Sequence, residues 1–156
     1  MRKDDHKQQL IKTIHNLHNR GWCDGTGGNF SVVCEQDPLR LLMAPSGVDK
    51  GSVEATDLIE VNDHGEVVHG EGKASAETLM HLQIIKQCSA GAVLHTHSCN
   101  GTLLSRLHQA SGHLKLEGWE MLKGLAGINI HDTSVELPII ENDQNLKRLA
   151  NKQANI

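Results

Sequence analysis

The segment His95-Thr96-His97 constrains the fold of this chain more than any other short segment does. It follows the apolar run Gly91-Ala92-Val93-Leu94, which has the length and composition of a buried β-strand. Residues two apart on a strand point to the same face, so His95 and His97 present two imidazoles together. This predicts two ligands of a metal site, and zinc suits it because catalytic zinc takes three protein ligands and keeps one position open. Neutral histidines packed in a core are the alternative.

Composition limits the class of protein and its partners. A chain of 156 residues fits one domain with one core. The net charge of -4 and the absence of long like-charge runs argue against nucleic acid and anionic membranes, and one Phe, two Trp and no Tyr leave few stacking groups for bases. No apolar stretch reaches the roughly 18 residues of a membrane span, and the first residues do not resemble a signal peptide. We therefore expect a cytoplasmic protein with a small-molecule partner. The four cysteines form no CxxC pair, which argues against a thiolate metal site or a disulfide framework.

Apolar periodicity and turn residues predict alternating helices and strands. The predicted elements are a helix over 5–19, strands over 30–33 and 41–44, a hairpin over 58–68, a helix capped by Ser75 and ending near Cys88, the strand before His95, a helix around Leu103, Leu104 and Leu107, a shorter helix around Met121, Leu122 and Leu125, a strand over 137–140, and a last helix capped by Asn142 or Asp143 and passing through Leu146 and Leu149. This order indicates a single α/β domain with helices on both faces of a sheet.

Three glycine- or serine-rich segments could bind an anion. The loop 27–31 and the turn 46–50 leave backbone N–H groups accessible, although tight turns explain both equally well. The segment 73–77 opens a helix, whose free N–H groups favour a phosphate, and ordinary capping by Ser75 is compatible with that role. Glu120 alone is typical of a surface carboxylate at a helix start. The histidines other than His95 and His97 have no ligand spacing, and we expect most of them at the surface.

The order of these motifs is more specific than any one of them. The series is Gly21-Trp22, Gly25-Thr26-Gly27-Gly28-Asn29-Phe30-Ser31, Ser46-Gly47-Val48-Asp49-Lys50-Gly51, Ser75-Ala76-Glu77, Gly91 to Ser98, Glu120-Met121-Leu122-Lys123-Gly124 and Pro138-Ile139-Ile140-Glu141-Asn142. From about residue 8 to residue 150 it resembles the class II aldolase/adducin family, and within it the dehydratases of methionine salvage. The resemblance implies a three-layer α/β/α sandwich, a zinc-dependent lyase and a homotetramer with its active site near a subunit boundary.

The resemblance also implies roles for individual residues. The implied roles are zinc ligands for His95 and His97, phosphate contacts for Gly28, Asn29, Ser46, Gly47 and Ser75, the dehydratase acid/base for Glu120, and for Glu77 the place of the catalytic glutamate of related sugar-phosphate aldolases. The implied reaction removes water from 5-methylthioribulose 1-phosphate. Zn²⁺ would acidify the proton on C3 as a Lewis acid, and Glu120 would remove that proton and help the C4 hydroxyl to leave.

Two other functions remain open at the level of the sequence. A fuculose-phosphate type of sugar-phosphate aldolase would use Glu77 as its principal acid/base. An adducin-like scaffold would keep the fold for association and perform no chemistry. The resemblance also implies a third zinc ligand in an Arg-Gly-His-Gly motif after the helix that begins near Asn142, and the sequence to Ile156 does not contain that motif. We therefore expect residues 1–156 to form one class II aldolase-like domain that is incomplete at its C-terminus and lacks the last strands and helices.

Overall fold

The computed structural model describes residues 3–143, 145, 148 and 149. Its elements in chain order are α1 (Lys3–Asn19), β1 (Asn29–Gln36), β2 (Leu39–Met43), β3 (Ile59–Asn62), β4 (Val67–His69), α2 (Thr78–Cys88), β5 (Ala92–His95), α3 (Cys99–Leu107), β6 (His113–Glu117) and β7 (Ser134–Pro138), with short 3₁₀ helices at Gln109–Ser111 and Glu120–Gly124. The chain forms two compact units. Among the described residues, the first contains 3–98 with 143, 145, 148 and 149, and the second contains 99–142.

The first unit is built on a five-stranded sheet with strand order β4-β3-β2-β1-β5. Every pair of neighbouring strands is antiparallel. Side chains alternate across β2, so Leu42 joins the core under α1 whereas Leu41 and Met43 join the core under α2. One helix therefore covers each face of the sheet, and this unit has the predicted three-layer arrangement.

Helix α1 forms because its apolar residues recur at helical spacing. Leu10, Ile11 and Ile14 are buried on one stripe and pack against Phe30 and Leu42 of the sheet. The sequence predicted this helix over 5–19, and the structure begins it at Lys3. After α1, Gly21 adopts a φ of +67°, and its N–H bonds the carbonyl of His18, which ends the helix as predicted.

Helix α2 begins later than the sequence predicted. It starts at Thr78 with Glu77 as its N-cap residue, and Ser75 is therefore not the N-cap. Ser75 instead forms a turn before the helix: its Oγ accepts the Glu77 N–H at 3.2 Å, and its carbonyl accepts the Thr78 hydroxyl at 2.7 Å. A serine that satisfies the next residues in this way competes with helix formation, which delays the first helical turn.

Strand β5 is an edge strand, not the buried strand that its apolar run predicted. It pairs with β1 alone among the described strands, and Ala92 and Leu94 are exposed. Its register on β1 nevertheless fixes the position of His95, the last residue of the strand.

The second unit contains α3 and the two-stranded antiparallel sheet of β6 and β7. Helix α3 was predicted, but β6 was not. The helix predicted near Met121 is a short 3₁₀ turn in which only Leu122 is buried, so too little apolar surface supports a longer helix. The late strand was predicted over 137–140, whereas β7 ends at Pro138, which has no N–H to extend the ladder.

The remaining observations concern the end of the chain, membrane-spanning helices and the cysteines. Leu146 of the last predicted helix lies outside the described residues, whereas Leu149 is buried and its N–H donates to the Asn145 carbonyl at 2.9 Å, as in a helix. Among the described residues, no helix is long and apolar enough to cross a membrane. The cysteines Cys23, Cys34, Cys88 and Cys99 are free.

Candidate active site

The candidate site begins where β1 and β5 lie side by side. Asn29, the first residue of β1, is paired with His95 in the antiparallel register. Gly28 permits this close approach, because its φ is +78° and a Cβ there would lie 2.9 Å from the carbonyl oxygen of His95. The glycine loop therefore brings Asn29 and His95 together although they are far apart in sequence.

Glu77 reaches the same point from the start of α2. Its Oε2 lies 2.9 Å from Nδ1 of His95 and accepts a hydrogen bond from the side-chain amide of Asn29. When Nδ1–H donates to this carboxylate, the lone pair on Nε2 of His95 is left to bind a ligand. Metal-binding histidines commonly have such a carboxylate partner, so the contact with Glu77 suits His95 for metal binding.

His97 follows β5 and is held by its backbone. Its N–H donates to the carbonyl of Trp22 at 2.7 Å, and its ring centroid lies 4.7 Å from that of His95 with 36° between the planes. The two imidazoles are therefore neighbours and fit a divalent metal as two of its nitrogen ligands. Within 3–143, 145, 148 and 149, no group of three or more His, Cys, Asp or Glu residues is arranged to hold a metal ion.

The segments selected as phosphate contacts lie on neighbouring loops. The Ser46 N–H donates to the carbonyl of Lys73 at 2.8 Å, which joins the turn after β2 to the segment before α2 that contains Ser75. Gly47 has a φ of +80° and no atom within 4 Å of its Cβ position, so the tip of this turn is open to solvent. Ser46, Gly47 and Ser75 therefore share one region of the first unit.

Two buried polar residues of this region were given no role of their own from the sequence. Lys50 lies between the glycine loop and the turn after β2, with only 2% of its surface exposed. Most of the histidines other than His95 and His97 were expected at the surface, whereas His81 is 2% exposed. Its Nδ1 lies 2.7 Å from the Ser31 hydroxyl, and its buried Nε2 has no hydrogen-bond partner within the described part of the chain.

Burial determines the ionisation of His81. The loss of hydration lowers its pKa from 6.5 to about 4, the charge of His95 acts in the same direction, and the carboxylate of Glu77 opposes both. His81 is therefore neutral at physiological pH. The burial of His81 could have been inferred from its spacing. It lies one turn after Glu77, on the face of α2 that also carries Thr78, Leu82 and Ile85.

Glu120 lies in the second unit, on the short 3₁₀ helix. Its carboxylate forms an ion pair with Lys123 and lies 3.6 Å from Nδ1 of His131. The Glu120 side chain is largely exposed, so water screens both interactions. Within its own unit Glu120 is not desolvated, and its acid/base role stays a prediction.

Comparison with known proteins identifies the class to which this fold and site belong. The sequence model of the class II aldolase and adducin N-terminal domain matches residues 8–155. The chain belongs to the class II aldolase and adducin family, and the resemblance read from its motifs is confirmed. Among the curated relatives, a methylthioribulose-1-phosphate dehydratase of Serratia proteamaculans (strain 568) is 41% identical over 155 residues, which cover 99% of this chain and 74% of the relative.

Solved structures support the same fold. An L-fuculose 1-phosphate aldolase matches 75% of this chain and 53% of its own length, with 33% identity and a TM-score of 0.61. A second L-fuculose-1-phosphate aldolase, from Thermus thermophilus, matches 96% of this chain and 69% of its own length with a TM-score of 0.68; at 21% identity it supports the fold alone. The class II aldolase type of α/β fold is therefore confirmed, and the family is in general metal-dependent.

Proposed function

We propose that this chain is a zinc-dependent dehydratase that removes water from 5-methylthioribulose 1-phosphate in methionine salvage, in the cytoplasm and as a homotetramer. The observation that carries the proposal is the contact of Glu77 and Asn29 with His95, in a chain 41% identical to a methylthioribulose-1-phosphate dehydratase. That contact prepares one imidazole for a metal within a family that uses one.

The metal would be held by His95 and His97. When bound, Zn²⁺ supplies a Lewis acid that polarises a carbonyl and acidifies the neighbouring C–H bond. Glu77 orients the His95 ring through Nδ1, and Asn29 in turn fixes the carboxylate of Glu77. These contacts hold the site rigid before the substrate arrives, which reduces the cost of reaching the reactive geometry.

The phosphate of the substrate would be bound by Gly28, Asn29, Ser46, Gly47 and Ser75. Support comes from the open turn at Gly47 and from the backbone hydrogen bond that joins its neighbour Ser46 to the loop before α2. Backbone N–H groups and hydroxyls bind a phosphate without adding charge that must be neutralised when the site is empty. These residues would orient the sugar and take no part in proton transfer.

Glu120 would act as the acid/base. As a base it takes the proton from C3, and as an acid it returns that proton to the C4 hydroxyl as this group departs as water. Replacement of Glu120 by Gln removes the carboxylate that accepts and returns the proton but keeps the size of the side chain. We expect turnover of 5-methylthioribulose 1-phosphate to fall by about 10² to 10⁴ in Glu120→Gln, with zinc content unchanged.

The central test is the metal content and the dehydratase activity of the purified chain. We expect zinc that copurifies with the wild type to be lost in His95→Ala together with dehydration of 5-methylthioribulose 1-phosphate. His64→Ala is the matched control, because His64 is exposed on the β3–β4 turn. Equal zinc in all three proteins would contradict the assignment of His95 as a ligand.

A sugar-phosphate aldolase is the second candidate, favoured by the contact of Glu77 with His95 and by the 33% identity to an L-fuculose 1-phosphate aldolase. Parallel assays of fuculose 1-phosphate cleavage and 5-methylthioribulose 1-phosphate dehydration separate the two activities. Cleavage without dehydration would replace the first proposal with the second. A chain that binds no zinc and catalyses neither reaction would instead match the non-catalytic adducin-like scaffold.

A further inference from the structure

Lys50 is a buried lysine that joins two of the loops assigned to the phosphate. Its Nζ donates to the carbonyl of Thr26 at 3.1 Å and to the carbonyl of Val48 at 2.8 Å. Its backbone N–H donates to the carbonyl of Gly25 at 2.8 Å. The glycine loop before β1 and the turn after β2 are therefore held together by one residue.

The charge of Lys50 has no ion-pair partner among the residues that the structure describes. The neighbouring carboxylate, Asp49, accepts the backbone N–H of Gly51 at 2.7 Å and favours the charge of Lys50, but more weakly than the loss of hydration opposes it. A buried ammonium bonded to neutral carbonyls loses much of its hydration, and burial accordingly lowers the pKa of Lys50. Buried lysines without a direct ion pair are rare, because the lost hydration of the ammonium reduces stability.

A dianion bound on the same loops would supply a stronger counter-charge to Lys50 than Asp49 does. The carbonyls that Lys50 bonds belong to Thr26, two residues before Gly28, and to Val48, one residue after Gly47. We propose that Lys50 is a positioning residue of the phosphate subsite: it fixes the two loops and gives them the positive potential that selects a phosphate monoester. This inference rests on the proposed function, because it assumes that these loops bind the phosphate.

The test measures binding of inorganic phosphate to the purified chain by isothermal titration calorimetry, against sodium chloride of equal ionic strength. We expect the dissociation constant for phosphate to rise about tenfold or more in Lys50→Met, which keeps most of the apolar stem of the side chain and removes its charged end. Lys12→Met is the matched control, because it removes the same charge from an exposed position on α1 and should change the constant less than about twofold.

Thermal stability separates this role from a purely structural one. Lys50→Met removes a buried charge but also leaves the carbonyls of Thr26 and Val48 without this donor. Because these two effects oppose each other, we expect a melting temperature close to that of the wild type, while phosphate binds more weakly. A purely structural lysine would give the reverse, namely a lower melting temperature with unchanged phosphate affinity. If Lys50→Met does not fold, Lys50→Gln takes its place, because it removes the charge and keeps an N–H donor on a side chain one atom shorter, and the same loss of affinity is expected.

The outcomes distinguish this inference from the proposal beneath it. If the wild type shows no phosphate binding beyond the chloride control, the phosphate subsite itself is wrong, and the role of Lys50 is wrong with it. If the wild type binds phosphate and a folded Lys50 variant binds it within about twofold of the wild type, the subsite stands and the role of Lys50 is overturned.

Discussion

At the scale of single residues, the buried His81 ties stability to pH. Its pKa is about 4 in the folded chain, because burial removes the hydration of the imidazolium, and about 6.5 in the unfolded chain. Between these values the unfolded chain binds a proton that the folded chain does not. The folded state therefore keeps its full stability above about pH 6.5 and loses up to about 3 kcal/mol as the pH falls to 4.

Urea unfolding at pH 7.5 and pH 5.0 measures this contribution. We expect the change in the free energy of unfolding between the two pH values to be about 2 kcal/mol smaller in His81→Gln than in the wild type. Gln keeps a polar group for Ser31 but does not titrate. His64→Gln, at an exposed position, should behave like the wild type, and equal pH dependence in all three proteins would contradict a neutral buried His81.

Gly28 gives a second prediction for a single residue. Gly28→Ala places a side chain in the left-handed region and a Cβ 2.9 Å from the backbone of His95, which cannot give way as a flexible side chain can. We expect a loss of at least about 1–2 kcal/mol in the free energy of unfolding, together with weaker zinc retention, because the shift reaches His95. Gly91→Ala is the control, since no atom lies within 4 Å of its Cβ position and we expect zinc retention to be unchanged.

The residues of the candidate site were foreseeable to different degrees. The i, i+2 spacing predicted that the imidazoles of His95 and His97 lie together, and their rings are neighbours although β5 ends at His95. The order of motifs selected Asn29 and Glu77. Lys50 gave no local signal, because a lysine in a turn is ordinarily exposed and its burial depends on two loops that meet only in the folded chain. Burial of this kind follows from tertiary packing, which no spacing within one segment encodes.

At the scale of elements, the orientation of α2 can be tested with two leucines one turn apart. Leu82 is 3% exposed and packs in the core with Met43 and Ile59, whereas Leu79 is 36% exposed. We expect Leu82→Ala to lower the free energy of unfolding by about 2–5 kcal/mol, since it removes apolar contacts and leaves a cavity. Leu79→Ala should cost about 1 kcal/mol or less. Similar losses for the two variants, measured by urea unfolding, would show that the helix buries a different face.

Two predictions about strands were wrong, for different reasons. One strand was missed because its pattern is weaker than those beside it, and the burial of another depends on contacts that the local sequence does not specify. Strand β6 carries the alternation Leu114, Lys115, Leu116 and Glu117, which is a strand signal, but it is short and lies between stronger helical patterns. The run before His95 looked buried because it is apolar. Its exposure depends on which strands pair with β5, and an apolar run does not specify its neighbours.

At the scale of the whole molecule, layer structure was more predictable than sheet topology. Leu41, Leu42, Met43 and Ala44 are all buried, and a continuous apolar run on a strand indicates that both faces of the sheet are covered. The helices α1 and α2 provide those two covers. The strand order β4-β3-β2-β1-β5 could not be read from the sequence, because pairing is decided by contacts between distant segments.

The proposed homotetramer gives a prediction at this scale. The second unit exposes several large apolar side chains, among them Met121 at 81% and Leu107 at 68%. Burying a side chain of this size contributes about 1.5–3 kcal/mol, so such residues favour association with other copies of the chain. We expect light scattering after gel filtration to give a mass above the 17.1 kDa of one chain.

The same measurement on two charged variants tests whether this surface carries the association. Leu107→Lys and Met121→Lys place an ammonium where an interface would remove water, so the concentration needed for assembly should rise about tenfold or more. Val68→Lys adds the same charge at an exposed position on β4 of the first unit and should assemble like the wild type. If Val68→Lys disrupts assembly and the other two variants do not, the interface lies on the first unit. The reason is that an introduced charge weakens association only where the interface removes its water.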